Sequence, residues 1–155
     1  MSIYRQGPSP AGACPRCREP LLGIANVPSV RRCEKCGGVF ANNDASRRIV
    51  SGFDRVLLEI GFECGLGKPR AKETPHALTC PECLVGMQKV RMESAACSID
   101  ACPAHGSWFD PGELEDVMRA FRRAREAGVP PPPGTSRPKT STLVDLVETA
   151  LSNGS

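Results

Sequence analysis

A chain of 155 residues with five Phe, one Trp and one Tyr has few large side chains from which to build a core, and it carries nine cysteines. Twenty Lys and Arg against seventeen Asp and Glu give a formal charge of +3, a weak basis for bulk attraction to phosphate, and no apolar run approaches the roughly eighteen residues that span a bilayer. The start, Met1-Ser-Ile-Tyr-Arg-Gln-Gly-Pro8, lacks the apolar stretch of a secretion signal. A cytoplasmic, reducing location is therefore expected, with thiols or metal ligands rather than disulfides.

In chain order, residues 1–13, with Gly7, Pro8, Pro10 and Gly12, read as a flexible leader. Cys14-Pro-Arg-Cys17, fifteen residues, then Cys33-Glu-Lys-Cys36-Gly37 follow, which is the spacing of a zinc ribbon: two knuckles that each grip one cation, joined by a span long enough for a β-hairpin. Gly37-Gly-Val-Phe40 is expected to be the last strand of this ribbon. Asn43 or Asp44 then caps a helix with Ile49, Phe53, Val56, Leu57 and Ile60 on its apolar face, ending at Gly61. The first unit thus covers 14–61, and a linker with Gly65, Gly67, Pro69 and Pro75 fills 62–77.

The second unit, 78–128, begins with Cys80-Pro-Glu-Cys83 and, after eighteen residues, Cys102-Pro-Ala-His105-Gly106. Ser107-Trp108-Phe109 should complete its sheet, with Trp108 half-buried. Asp110 and Glu113 form the Asp-x-x-Glu pattern of a capping box with Pro111 in the first turn, and Leu114, Val117, Met118, Phe121 and Ala124 give the buried stripe of a helix that Gly128 stops. Residues 129–141 form a Pro-rich, extended linker, and 142–152 a short amphipathic helix with Leu143, Val144, Val147, Ala150 and Leu151 on one side. That last segment suits docking, either on a partner's groove or back on the ribbons.

The units overlay as a duplication: Cys14 on Cys80, Cys17 on Cys83, Cys33 on Cys102, Cys36 on His105, Gly37 on Gly106 and Phe40 on Phe109. On these residues, with Trp108-Phe109-Asp110 and Glu113-Leu114, the chain resembles the transcription factor IIB-type zinc-finger family of small bacterial zinc ribbons, in two tandem copies. The resemblance implies a zinc ribbon with a trailing helix and no particular substrate or reaction. The first copy departs from the pattern: Val39 stands for the aromatic, Ala41 for the aspartate and Asp44-Ala45 for Glu-Leu.

The expected fold is a small, metal-stabilised α+β protein of two tandem ribbons. Cys14, Cys17, Cys33 and Cys36 form one site, and Cys80, Cys83, Cys102 and His105 the other, each for one zinc; the histidine favours zinc over iron. Units this small need such a staple, about 10–16 kcal/mol of apparent binding energy per structural zinc. Cys97 lies five residues before Cys102 but does not reproduce the two-residue knuckle followed by glycine, and Cys64 has no partner at ligand spacing, so both are read as non-ligands. His76 reads as a solvated loop residue, and the arginines at 31, 32, 47, 48, 119, 122, 123 and 125 as solvated faces.

Loading changes the charge argument, because two divalent cations and seven thiolates bring +3 to about zero. Four protein ligands per site leave no position for a catalytic water, and with His105 assigned no Ser-His-Asp or Cys-His-Asn arrangement can be built. The expectation is a non-enzymatic, zinc-binding adaptor with a protein partner and no small-molecule substrate. The alternatives are a nucleic-acid-binding or transcription-complex component, and a thiol redox or metal-handling protein using Cys64 and Cys97.

Overall fold

A computed structural model describes residues 12–50, 55–72, 76–92 and 95–128. The leader up to residue 11, the Pro-rich linker and the C-terminal amphipathic segment lie outside the described residues.

The first ribbon supplies β1 (Leu22–Ile24), β2 (Val27–Arg32) and β3 (Val39–Asn42), followed by α1 (Asn43–Val50) and α2 (Arg55–Gly65). The second supplies β4 (Gln88–Met92), β5 (Cys97–Cys102), β6 (Gly106–Phe109) and α3 (Glu113–Glu126). All six strands form one antiparallel sheet in the order β1-β2-β3-β6-β5-β4. The ribbons therefore meet strand to strand, along a central seam in which Val39 faces Phe109, Phe40 faces Trp108, Ala41 faces Ser107 and Asn42 faces Gly106.

Side-chain alternation along these strands gives the sheet two different faces. One carries Phe40, Trp108, Leu21, Leu78 and Met87 together with the ligand cysteines of both knuckle sets. The other carries Val30, Val39, Ala41, Val90, Ile99 and Phe109, covered by Ile49, Leu57, Leu58, Leu114, Val117 and Ala120 from the three helices. The expected stripe of α3 is thus buried at Leu114 and Val117 and joined by Ala120, while Met118 and Phe121 pack at its margin. Burying one Leu or Val side chain is worth about 1.5–3 kcal/mol.

The seam corrects the overlay drawn from cysteine spacing. Because Phe40 lies opposite Trp108, the strand residues match about a centre at that pair: Phe40 takes the place of Trp108, and Asn42 the place of Asp110. Cys33 donates its amide to the carbonyl of Gly38, whereas Cys102 pairs with Gly106. Gly37 is therefore one extra residue in the first ribbon's second knuckle. The aromatic is displaced by one position and not lost.

Gly37 has φ of 79°, and a Cβ there would come within 2.7 Å of the Cys64 carbonyl oxygen and of Lys68 Cγ. The extra glycine thus lets the end of α2 settle on the knuckle, where Lys68 Nζ donates to the Glu34 carbonyl at 2.8 Å.

Three helix boundaries also differ from expectation. The cap of α1 is Asn42, whose Oδ1 accepts the Ala45 amide at 2.9 Å, because the residue that ends β3 is the one positioned to cap. Residues 51–54, with Phe53 of the expected apolar face, lie outside the described residues; beyond them α2 does not end at Gly61 but runs on to Gly65. Gly61 is no stop: a Cβ there would sit 2.0 Å from Leu114 Cδ1, so glycine permits α2 and α3 to approach. Cys64 consequently lies in the last turn of α2 and not in the linker. Before α3 the capping box is half made, with Glu113 Oε2 accepting the Asp110 amide at 2.8 Å while the Asp110 carboxylate is engaged elsewhere.

Candidate metal centres

Each first knuckle repeats the same backbone. Cys14 donates its amide to the Glu19 carbonyl and accepts from Arg18; Cys80 donates to Val85 and accepts from Leu84. Arg18 and Leu84 both have φ of 62°, a left-handed turn that costs a non-glycine residue about 1–2 kcal/mol. Proline after the first cysteine and the turn that follows aim two sulfurs at one point, and the second knuckle closes over it.

The result is two groups of four donor atoms, Cys14, Cys17, Cys33 and Cys36, and Cys80, Cys83, Cys102 and His105, with all donors of a group within 4.8 Å of one another. The spacing can be tested against zinc. Tetrahedral coordination sets sulfurs about 3.8 Å apart, and sulfur and nitrogen about 3.6 Å apart. Cys14 and Cys36 Sγ are separated by 3.8 Å, as are Cys83 and Cys102 Sγ, and His105 Nδ1 lies 3.6 Å from Cys102 Sγ and 3.8 Å from Cys80 Sγ. Both sets fit one zinc each, with His105 binding through Nδ1.

Backbone amides support the sulfurs: Cys17 donates to Cys14 Sγ at 3.3 Å, Gly38 to Cys36 Sγ at 3.4 Å and Glu82 to Cys80 Sγ at 3.4 Å. The thiols alone are poorly matched to one another. Cys14 shares its proton with Cys36, which raises Cys14 and lowers Cys36 to about 5. Burial pushes Cys17 and Cys80 up to about 12, whereas the Val85 amide draws Cys83 down to about 7. Four crowded sulfurs cannot all ionise unaided; a divalent cation is the charge that would let them.

The remaining candidates are not drawn into either group. Cys97 is buried in β5 opposite Met92, its thiol pushed up to about 12 by burial. Cys64 is half-buried, and burial raises it as well. His76 is exposed.

Trp108 is fully buried, against the expectation of half-burial, because the seam places it mid-sheet beneath the knuckles. Its indole Nε1 donates to Asp110 Oδ1 at 2.7 Å, and Arg16, from between Cys14 and Cys17, donates to both Asp110 oxygens at 2.5 and 2.6 Å. No local pattern in the chain marks this contact. Only the opposite charges at the matching knuckle positions, Arg16 and Glu82, hinted at an unequal pair. Nearby, Asp100 is fully buried with Lys89 Nζ at 3.5 Å, and burial raises its carboxyl above the ordinary range. Burial, reinforced by the charge of Asp110, pushes Glu113 up to about 8.

Residues 79–120 match the family model described as transcription factor zinc-finger, the TFIIB-type zinc ribbon. No curated protein and no solved structure matches the chain. Among the described residues, no helix is long and apolar enough to cross a membrane. The donors Cys80, Cys83, Cys102 and His105 lie within the residues that match this family model, so 79–120 is similar to a TFIIB-type zinc ribbon, and it pairs in one sheet with a first ribbon that holds a second four-donor group.

Proposed function

We propose that the protein is a non-enzymatic, zinc-binding adaptor whose paired ribbons present a surface to another protein. The observation that carries this reading is the contrast between the metal groups and the knuckle tip beside one of them. The sites have four protein ligands each, and Cys14, Cys33, Cys80 and Cys102 are buried, an arrangement that suits structural rather than catalytic zinc. Immediately after Cys83, Leu84 and Val85 stand out, Val85 being 63% exposed, where the first ribbon has Arg18 and Glu19. Apolar side chains on a rigid, metal-held turn favour contact with an apolar partner surface. Burial keeps Cys64 and Cys97 protonated, which weighs against a thiol-redox role.

Capture on the zinc-loaded chain, run beside Val85→Asp, tests the adaptor reading. A partner retained by the native chain and lost by the variant, with zinc content equal in both, supports it. Equal retention by both, or none by either, refutes it. A second reading, nucleic-acid binding, is favoured by the exposed Arg122, Arg123 and Arg125 on α3, although loaded sites bring the net charge near zero. Binding to DNA or RNA that falls steeply with salt would support it, and absence of binding at low salt would reject it.

A further inference from the structure

The ribbons touch at their first knuckles as well as along the seam. The Gly12 amide donates to the Pro81 carbonyl at 2.7 Å, and the residue before the second cysteine of each knuckle reaches across to the other ribbon: Arg16 to Asp110, and Glu82 to Arg31. These crossings have opposite polarity, so each ribbon complements the other and not itself.

They also differ in burial. The Glu82 and Arg31 side chains are 42% and 28% exposed, whereas those of Arg16 and Asp110 are 14% and 8% exposed. The Arg16 pair is bidentate, and Asp110 Oδ1, which accepts from Arg16 Nε, also accepts from the buried indole of Trp108. Arg16 sits in the turn between Cys14 and Cys17, directly before the Cys17 amide that donates to Cys14 Sγ at 3.3 Å. Whatever orients Arg16 orients the turn that delivers two sulfurs.

We propose that Asp110 is a positioning residue for the metal site of the opposite ribbon: by clamping Arg16, it holds the Cys14–Cys17 turn in the geometry that accepts the cation. Zinc affinity at the first site then depends on a carboxylate supplied by the second ribbon. Outer-shell groups that orient ligands change metal affinity by about 10- to 100-fold when removed, and a bidentate, nearly buried ion pair fixed by a tryptophan is a strong example of such a group.

Cobalt(II) titration of the full chain against a competing chelator resolves the sites, because the all-sulfur site and the site containing His105 have different absorption bands. Asp110→Asn and Arg16→Ala are each expected to weaken the all-sulfur site about 10-fold or more and leave the other unchanged. The double variant should be no weaker than the worse single one, Arg16→Lys should recover part of the loss, and Glu82→Gln should alter neither site. Unchanged affinity at the all-sulfur site in Arg16→Ala would overturn the proposal. So would an equal loss at the His105 site, since Asp110 would then act only by holding its own ribbon together. Should Asp110→Asn fail to fold, Arg16→Ala decides alone, because it leaves the bonds from Asp110 to Trp108 and Glu113 in place.

Discussion

Gly38→Ala should destabilise the protein through one side chain, Trp108. An alanine Cβ at this position would stand 2.1 Å from Trp108 Cζ2, 2.7 Å from Cη2 and 2.9 Å from Cε2, against an ordinary contact of about 3.5–4.0 Å between carbons. The backbone at Gly38 is not in the left-handed region, so alanine there would otherwise stabilise by about 0.4–1 kcal/mol through the unfolded chain. The ring has little freedom to retreat: Trp108 is fully buried and its indole is tied to Asp110 at 2.7 Å. Overpacking typically costs about 1–3 kcal/mol, and this site belongs at the upper end, about 3 kcal/mol. All three crowded atoms belong to the six-membered part of the indole. In a Trp108→Phe background most of the clash should therefore vanish, giving a coupling of about 2 kcal/mol in the double-mutant cycle. Denaturant unfolding of the zinc-loaded proteins followed by circular dichroism measures all four corners. A Gly38→Ala cost below about 0.5 kcal/mol, or the same cost in both backgrounds, would refute the close contact.

Native mass spectrometry should find two zincs per chain; stripping them should abolish cooperative unfolding, since each structural zinc is worth about 10–16 kcal/mol, and a chain that kept its circular dichroism without metal would contradict this. The Glu113 carboxyl, pushed up to about 8 by burial, makes the folded state hold a proton that the unfolded chain releases near pH 4.3. This contribution is complete below the unfolded value and is lost as pH rises through about 8. Compared with Glu113→Gln, the native protein should thus lose stability between pH 6 and 8 by up to about 1.4 kcal/mol per pH unit. Parallel stability curves for the two proteins would show that Glu113 is ionised throughout.

The two four-donor groups were legible because ligand spacing is local: a C-x-x-C turn carries its geometry in four residues, and Cys102 with His105 repeats it. Cys97 could be set aside for the same reason. The helix after the first ribbon was misread where a glycine had two meanings. Gly61 looks like a helix end, yet its lack of a Cβ serves the approach of Leu114 from another element. The match between copies failed by one residue at Gly37, since cysteine spacing aligns ligands but is blind to strand register. Burial of Trp108 and the reach of Arg16 to Asp110 depend on ribbons pairing across the seam, a non-local contact that no short window of sequence encodes.

That seam also sets a timetable for synthesis. Its two strands are separated by the residues between Asn42 and Gly106, so at about 5–20 residues per second the first ribbon leaves the ribosome several seconds before its neighbour exists. During that interval β3 is an unpaired edge, with Val39 and Phe40 still awaiting the partners that bury them. Early capture of a metal ion by Cys14, Cys17, Cys33 and Cys36 would shorten this exposure by fixing the hairpin. The nascent chain is most prone to aggregate in a zinc-poor cell, before the second half arrives.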